Sequence, residues 1–218
     1  MIHAVIFDMD GVLIDTERHL FDCWQQAAKE YGYMLTKEQL LGIRSLAAEF
    51  AVPHFQKLMG EAFDYAAIRS RRKELMRDYI AEHGVDKKPC VDEFLDYLHA
   101  NGYKTAVATA TDPERAKQYL SSIGIYEKFD KVVCATTVAH GKPMPDVYLY
   151  ACEQINEQPE HCLAIEDSDN GALSAHRAGC HVVMVPDLAG PLPETTDYLE
   201  AVADDLSGVI PVLEAMKA

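Results

Sequence analysis

The chain has 218 residues, enough for one large domain or for a core with a modest insertion, and 49% of them are hydrophobic, ample for a buried core. Twenty Lys and Arg against 35 Asp and Glu give a net charge of −15, which argues against nucleic acid or an anionic membrane as a partner. A negatively charged ligand would have to be held locally, by a cation and a few basic side chains, against the field of the whole chain. No apolar run is long enough to span a bilayer, and Met1-Ile2-His3 leads straight into the first strand with no room for a secretory leader, so a cytoplasmic protein is expected. Cys23, Cys90, Cys134, Cys152, Cys162 and Cys180 are scattered without a CxxC pair and read as reduced thiols. His19, His140, His176 and the remaining histidines show no ligand spacing.

Ala4-Val5-Ile6-Phe7 predicts a buried central strand that ends in two acids one residue apart, Asp8 and Asp10, with Gly11 allowing a sharp turn. Two readings are open at this point. The acids end a strand and open a turn, or they stand at the C-terminal rim of a parallel sheet, where crowded carboxylates call for a cation or a shared proton. Period two would send both to one side if the strand continued. After Asp15 the pattern is helical for roughly seventy residues, more than one core helix needs. Glu17 to Tyr31 is a helix with Leu20, Cys23, Trp24, Ala27 and Ala28 at helical spacing. Thr36 and Gln39 form a capping box, a further helix begins near Ser45, and Ala66 to Glu82 is a long charged helix. With no strand among them, these helices read as a lid inserted after the first strand.

The core resumes near Pro89 with a helix over Val91 to Ala100 and a strand over Tyr103 to Ala108. Asp112 as N-cap and Pro113 at the first helical position open the next helix. A strand at Lys131 to Val133, a helix over Asp146 to Gln154, a strand at Cys162 to Ile165 and a helix over Asn170 to Ala178, closed by Gly179, follow. His181 to Val185 is a last strand, and Leu206 to Met216, around Pro211, a closing helix. Strands alternating with helices imply an α/β fold, a parallel sheet with helices on both faces.

Four stretches, in this order, resemble the motifs of the haloacid dehalogenase-like superfamily. They are Asp8-Met9-Asp10-Gly11-Val12, the strand Thr105 to Thr111 ending in a hydroxyl residue, Gly141-Lys142-Pro143-Met144-Pro145-Asp146, and Leu163 to Gly171 with the acids Glu166 and Asp167. The resemblance spans essentially the whole chain. It is closest to the subgroup holding β-phosphoglucomutases and small sugar-phosphate phosphatases. It implies a Rossmann-like core over residues 1–15 and 86–218 and a small all-helical cap over residues 16–85.

The resemblance also implies a chemistry: Mg²⁺-dependent hydrolysis of a small phosphorylated metabolite, a sugar or polyol phosphate, through an aspartyl-phosphate. Asp8 is then the nucleophile, and Asp10 the general acid and later the general base. Thr109, the amide of Ala110 and Lys142 hold the transferring phosphoryl group. Thr111 competes for the hydroxyl role, but the strand-ending pattern aligns at Thr109. The metal ligands are Asp8, the backbone carbonyl of Asp10, Asp167, and Glu166 directly or through water. By themselves Glu166 and Asp167 would also fit a solvated helix N-terminus.

In the cap, Gly42-Ile43-Arg44-Ser45 puts Arg44 where it can bind a second phosphate or a sugar hydroxyl of the substrate. A solvated arginine at a helix start is the competing reading. The alternative activity is that of a β-phosphoglucomutase-like mutase. Such mutases carry a histidine in the first cap helix, where this chain has Leu20, with His19 adjacent on another helical face, and the arginine of the cap loop is shifted to Arg44. A non-enzymatic phosphometabolite-binding protein would be expected if a catalytic acid were missing, and none is. A monomer is expected.

Overall fold

The computed structural model describes residues 1–217; residue 218, at the end of the expected core, lies outside them. Among these residues the sheet has six parallel strands, β1 (Ala4–Phe7), β2 (Lys104–Thr109), β3 (Lys131–Cys134), β4 (Cys162–Glu166), β5 (His181–Met184) and β6 (Ala201–Val202), in the order β3-β2-β1-β4-β5-β6. Period two sorts the side chains of the central strands by size. Val5, Phe7, Val107, Leu163 and Ile165 face one apolar cluster, whereas Ala4, Ile6, Ala106, Ala108 and Ala164 face the other. The larger residues meet α5 (Val91–Ala100), α6 (Pro113–Ser122) and α10 (Val209–Ala215). The alanine-rich face receives α7 (Asp146–Gln154) and α8 (Asp169–Ala178).

β1 is paired to β2 on one side and β4 on the other, so the winding direction of the sheet reverses at β1. The crevice at the C-terminal ends of the strands beside such a reversal is where open α/β sheets bind ligands. Three of the four motifs named above end strands at this rim. The extrapolation of β1 to Asp10 is corrected: the strand ends at Phe7, and Gly11, at φ +86°, turns the chain, so period two does not relate Asp8 to Asp10.

The chain leaves the core at Ile14 and Asp15 and returns at Asp86 to Lys88, and the two crossings are bonded side by side. Asp15 N–H donates to the Asp86 carbonyl at 2.9 Å and Lys88 N–H to the Leu13 carbonyl at 3.0 Å. Between the crossings lie α1 (Glu17–Glu30), α2 (Lys37–Leu41), α3 (Ala48–Met59) and α4 (Tyr65–His83). These four helices close on an apolar cluster of their own, with Trp24, Ala28, Leu40, Phe55, Phe63 and Ile68 buried in it. Phe55 sits at its centre, ring to ring with Phe63 at 4.9 Å, Tyr65 at 5.7 Å and Trp24 at 6.2 Å.

Two elements carry no sequence signal. β6 is a two-residue edge strand with Val202 half exposed, too short to show a period. α9 (Pro193–Thr196) is a single turn. The closing helix is split: Asp205 caps a 3₁₀ turn at Leu206–Gly208 before α10 begins. The third helix starts at Ala48 rather than near Ser45, because Ser45 is in the left-handed region at φ +57°.

We propose that residues 16–85 open and unfold as a unit separate from the sheet. Phe55→Ala should then cost about 3–5 kcal/mol locally. Native-state hydrogen exchange should show the amides of α1–α4 exchanging faster, with those of β1, β2 and β4 unchanged. Equal loss of protection in cap and sheet would contradict a separate unit.

Candidate active site

Asp8 follows the last residue of β1, and its own N–H still pairs with the Ile165 carbonyl of β4 at 2.9 Å. That backbone bond fixes the carboxylate between the ends of β1 and β4. Glu166 ends β4, and Asp167 follows it. Carboxylate oxygens of Asp8, Glu166 and Asp167 lie within 4.8 Å of one another, and all three residues are buried. Lys142 Nζ, fully buried, donates to Asp8 Oδ1 at 2.5 Å and to Glu166 Oε1 at 2.6 Å. The Tyr148 hydroxyl, from α7, donates to the same Glu166 oxygen at 2.6 Å, and its ring lies 5.2 Å from the ammonium. On the cap side Arg44, 6% exposed, donates to Asp167 Oδ2 at 3.0 Å.

Two glycines make room for the acids. A Cβ on Gly11 would fall 2.4 Å from Asp167 Oδ2, and one on Gly171 would fall 2.1 Å from the Glu166 carboxyl group. α8 begins just below, with the Ser168 hydroxyl accepting from the Gly171 N–H. Asp10 faces a different set of partners. Thr16 donates to its Oδ1 at 2.6 Å and Thr111 to its Oδ2 at 2.9 Å. Hydroxyls can turn to accept instead, so this pair can serve either protonation state of Asp10.

Charge counting shows what the site lacks. Among the described residues the buried charged side chains are Asp8, Glu17, Arg44, Lys142, Glu166 and Asp167. Four carboxylates against two cations leave two negative charges uncompensated. Burial and the neighbouring Glu166 and Asp10 push Asp8 up to about 7, outweighing the pull of Lys142. Burial, then Asp10, pushes Glu17 up to about 8. Burial, with Glu17 next, raises Asp167 well above the usual carboxylate range. Lys142 is raised as well: burial alone would lower it, but Asp8 and Glu166 outweigh that and keep it charged. A hard divalent cation on the three clustered carboxylates would supply the missing charge, and the all-oxygen donor set suits one. The residues present therefore fit a metal.

The structure brings together most of the residues singled out in the sequence. Asp8, Lys142, Glu166 and Asp167 form one hydrogen-bonded and ionic cluster, and Asp8, Asp10, Arg44 and Ala110 line a cavity of about 130 Å³ between cap and core. Thr109 ends β2, is fully buried, and its hydroxyl accepts from the Thr111 N–H at 3.0 Å. Thr111 itself lines the cavity and holds Asp10. Arg44 differs from the reading as a solvated arginine at a helix start: it is buried and paired to Asp167.

Sequence reasoning missed Glu17 and Tyr148. Glu17 directly follows Thr16 at the start of α1, where an acid looks like ordinary helix-dipole complementarity. Tyr148 is one aromatic in an amphipathic helix, and no spacing marks it. Two pairings at other places also escaped. His3 and His161 do converge, with Glu157, at the opposite rim of the sheet, because each precedes one of the paired strands β1 and β4. Cys152, Cys162 and Cys180, scattered in sequence, lie thiol to thiol at 3.6 and 3.9 Å.

The raised acids make stability depend on pH in a defined direction. Asp8 and Glu17 keep in the folded state protons that the unfolded chain releases near its ordinary carboxylate values, 3.8 and 4.5. Between about pH 4 and pH 8 the folded state thus binds more protons, and stability falls as pH rises through that window. In metal-free buffer the melting temperature should fall from pH 5 to pH 8, and a divalent cation should restore more of it at pH 8 than at pH 5. A melting temperature flat with pH, or a cation effect equal at both values, would contradict the charge count.

A family model for haloacid dehalogenase-like hydrolases matches residues 5–185. The chain is 31% identical over 176 residues to a phosphorylated carbohydrates phosphatase of Thermotoga maritima, covering 81% of each chain. It is 29% identical to a fructose-1-phosphate phosphatase of Escherichia coli, covering 84% of this chain and 95% of that one. The fold matches a crystal structure of β-phosphoglucomutase from Clostridium difficile with a TM-score of 0.82 at 21% identity, covering 99% of this chain and 96% of the other. With four motifs gathered around Asp8 and a helical region over the site, the chain belongs to the haloacid dehalogenase-like hydrolases, in the subgroup of phosphatases and phosphoglucomutase-like proteins with a helical cap.

Proposed function

We propose that this protein is a Mg²⁺-dependent phosphatase acting on a small sugar or polyol phosphate. The observation that carries the reading is the buried carboxylate cluster around Asp8, short of two positive charges, at the rim where the sheet reverses. Mg²⁺ held by Asp8, Glu166, Asp167 and, on the family pattern, the Asp10 carbonyl would neutralise charge on the phosphoryl oxygens and keep Asp8 ionised.

The chain's own groups divide the remaining work. Lys142 holds one oxygen of Asp8, leaving the carboxylate oriented for in-line attack on phosphorus and formation of an aspartyl-phosphate. Thr109 and the amide of Ala110 stand at the end of β2 to donate to the phosphoryl oxygens. Asp10, supported by Thr16 and Thr111, gives a proton to the leaving oxygen and later takes one from the attacking water. All these groups come from one chain, which supports a working monomer. No helix among the described residues is long and apolar enough to cross a membrane, and a small phosphorylated metabolite supports a cytoplasmic setting.

The cavity favours hydrolysis over mutase chemistry. Leu20 lines it, whereas His19 is turned to α4, stacked on Tyr79 with its Nε2 3.0 Å from the phenol oxygen. No histidine among the described residues lines the cavity to hold Asp10 away from water. At about 130 Å³ the space is well below the roughly 300–1,000 Å³ of drug-sized pockets, which supports a small metabolite as substrate.

Asp8→Asn should lower turnover ~10³-fold or more while leaving the melting temperature in metal-free buffer the same or higher, because one uncompensated charge is removed. Retention of a tenth of wild-type turnover would refute Asp8 as nucleophile. With β-glucose 1-phosphate, Mg²⁺ and a trace of the 1,6-bisphosphate, phosphorus NMR should show free phosphate as the main product. Glucose 6-phosphate accumulating faster than phosphate would establish the mutase instead.

A further inference from the structure

The cavity has a second, basic set of lining residues that the chemistry above does not use: Arg69, Arg72 and Lys73 of α4 in the cap and Arg115 of α6 in the core. With Arg44 they make five of the chain's twenty basic side chains in one small space, in a protein of net charge −15. Arg44 is paired to Asp167, and Arg115 is held by Asp112 at 2.5 and 2.7 Å. Arg69, Arg72 and Lys73 form no ion pair among the described residues. Arg72 lies over the Trp24 ring at 5.2 Å, and its Nε is sealed from solvent with no hydrogen-bond partner.

Such a group is expensive to assemble. Burial, and next the charge of Arg69, lowers Arg72 to about 10, and burial, Arg69 and Arg115 lower Lys73. A neutral sugar or polyol would not repay three crowded cations and an orphaned guanidinium N–H; an anion would. Position matters too. Arg69, Arg72, Lys73 and Arg115 line the same cavity as Asp10, the residue that protonates the leaving oxygen, whereas Asp8 is held by Lys142, so the basic group is placed to meet the body of the leaving group.

We propose that the substrate carries a second anionic group, a phosphate or carboxylate at the end remote from the scissile ester, and that Arg72, with Arg69, Lys73 and Arg115, receives it. This rests on the placement of the transferring phosphoryl group at Asp8. Because α4 belongs to the cap and α6 to the core, the second anion would bridge them and tie the cap down over the site. Binding energy from the remote end of the substrate would thus orient the reacting end.

The test is an affinity comparison in the Asp8→Asn protein with Mg²⁺, where turnover does not intervene. Calorimetry would compare fructose 1,6-bisphosphate with fructose 1-phosphate and fructose 6-phosphate. In a second arm it would compare 6-phosphogluconate with glucose 6-phosphate, which separates a phosphate from a carboxylate as the second anion. In at least one arm the doubly anionic compound should bind about tenfold to a hundredfold tighter. Adding Arg72→Gln should reduce that ratio to within about threefold, and Arg72→Lys should restore part of it, with thermal unfolding confirming that both variants fold. Equal affinities in both arms, a preference that survives Arg72→Gln, or no binding of any compound would overturn the proposal. Failure of the wild-type enzyme to release phosphate from any of them, with the affinity ratio intact, would instead strike the phosphatase reading.

Discussion

The structure is organised around an excess of buried negative charge at the end of one strand. Asp8, Glu17, Glu166 and Asp167 are drawn out of water beside two cations, Lys142 and Arg44. Carboxylates left so close would hold protons, and the upward shifts of Asp8, Glu17 and Asp167 express that tendency. The surroundings are fitted to keep them there all the same. Gly11 and Gly171 leave the space that a methyl group would fill, and Tyr148 and Lys142 are both spent on one oxygen of Glu166. A cluster built and held in this way is poised for a divalent cation rather than for stability.

The same constraint explains why the cap sits where it does. The segment from Gly42 to Glu49 touches two of the four motif stretches of the core, those of Lys142 and Asp167. Asn170 donates to the carbonyls of Gly42 and Arg44, Ala47 N–H to the carbonyl of Lys142, and Gly141 N–H to Glu49. A Cβ on Gly141 would lie 2.7 Å from that of Ala47, so the approach is as close as glycine permits. The cap thereby covers the charged cluster from water, and it carries Arg44 into it. Electrostatic interactions in such a covered site are stronger than at a surface, which is what a phosphoryl transfer site requires.

Most of the core was legible in the sequence because its signals are local. The apolar runs of β1, β2, β4 and β5, the Thr36 capping box and the Asp112-Pro113 helix start each need only neighbouring residues. The four motif stretches predict their own meeting point, since each ends a strand or opens a helix at one rim. What escaped depends on tertiary contact. Tyr148 matters only because α7 packs beside β4, and Glu17 only because Gly11 folds the chain back on Asp167. The basic lining of the cavity is likewise invisible in α4, which the sequence marks only as a long charged helix until the fold sets Arg69, Arg72 and Lys73 on one cavity with Arg115.

The central claim is that one divalent cation replaces the protons held by the buried acids. It is tested most directly by titrating Mg²⁺ into the metal-free protein by calorimetry in buffers of differing ionisation heat. With Asp8 near 7, Glu17 near 8 and Asp167 raised as well, binding of one Mg²⁺ at pH 7 should release at least one proton, and the number should fall as pH rises. Binding of one Mg²⁺ with no proton release at pH 7, or no binding at all, would contradict the account.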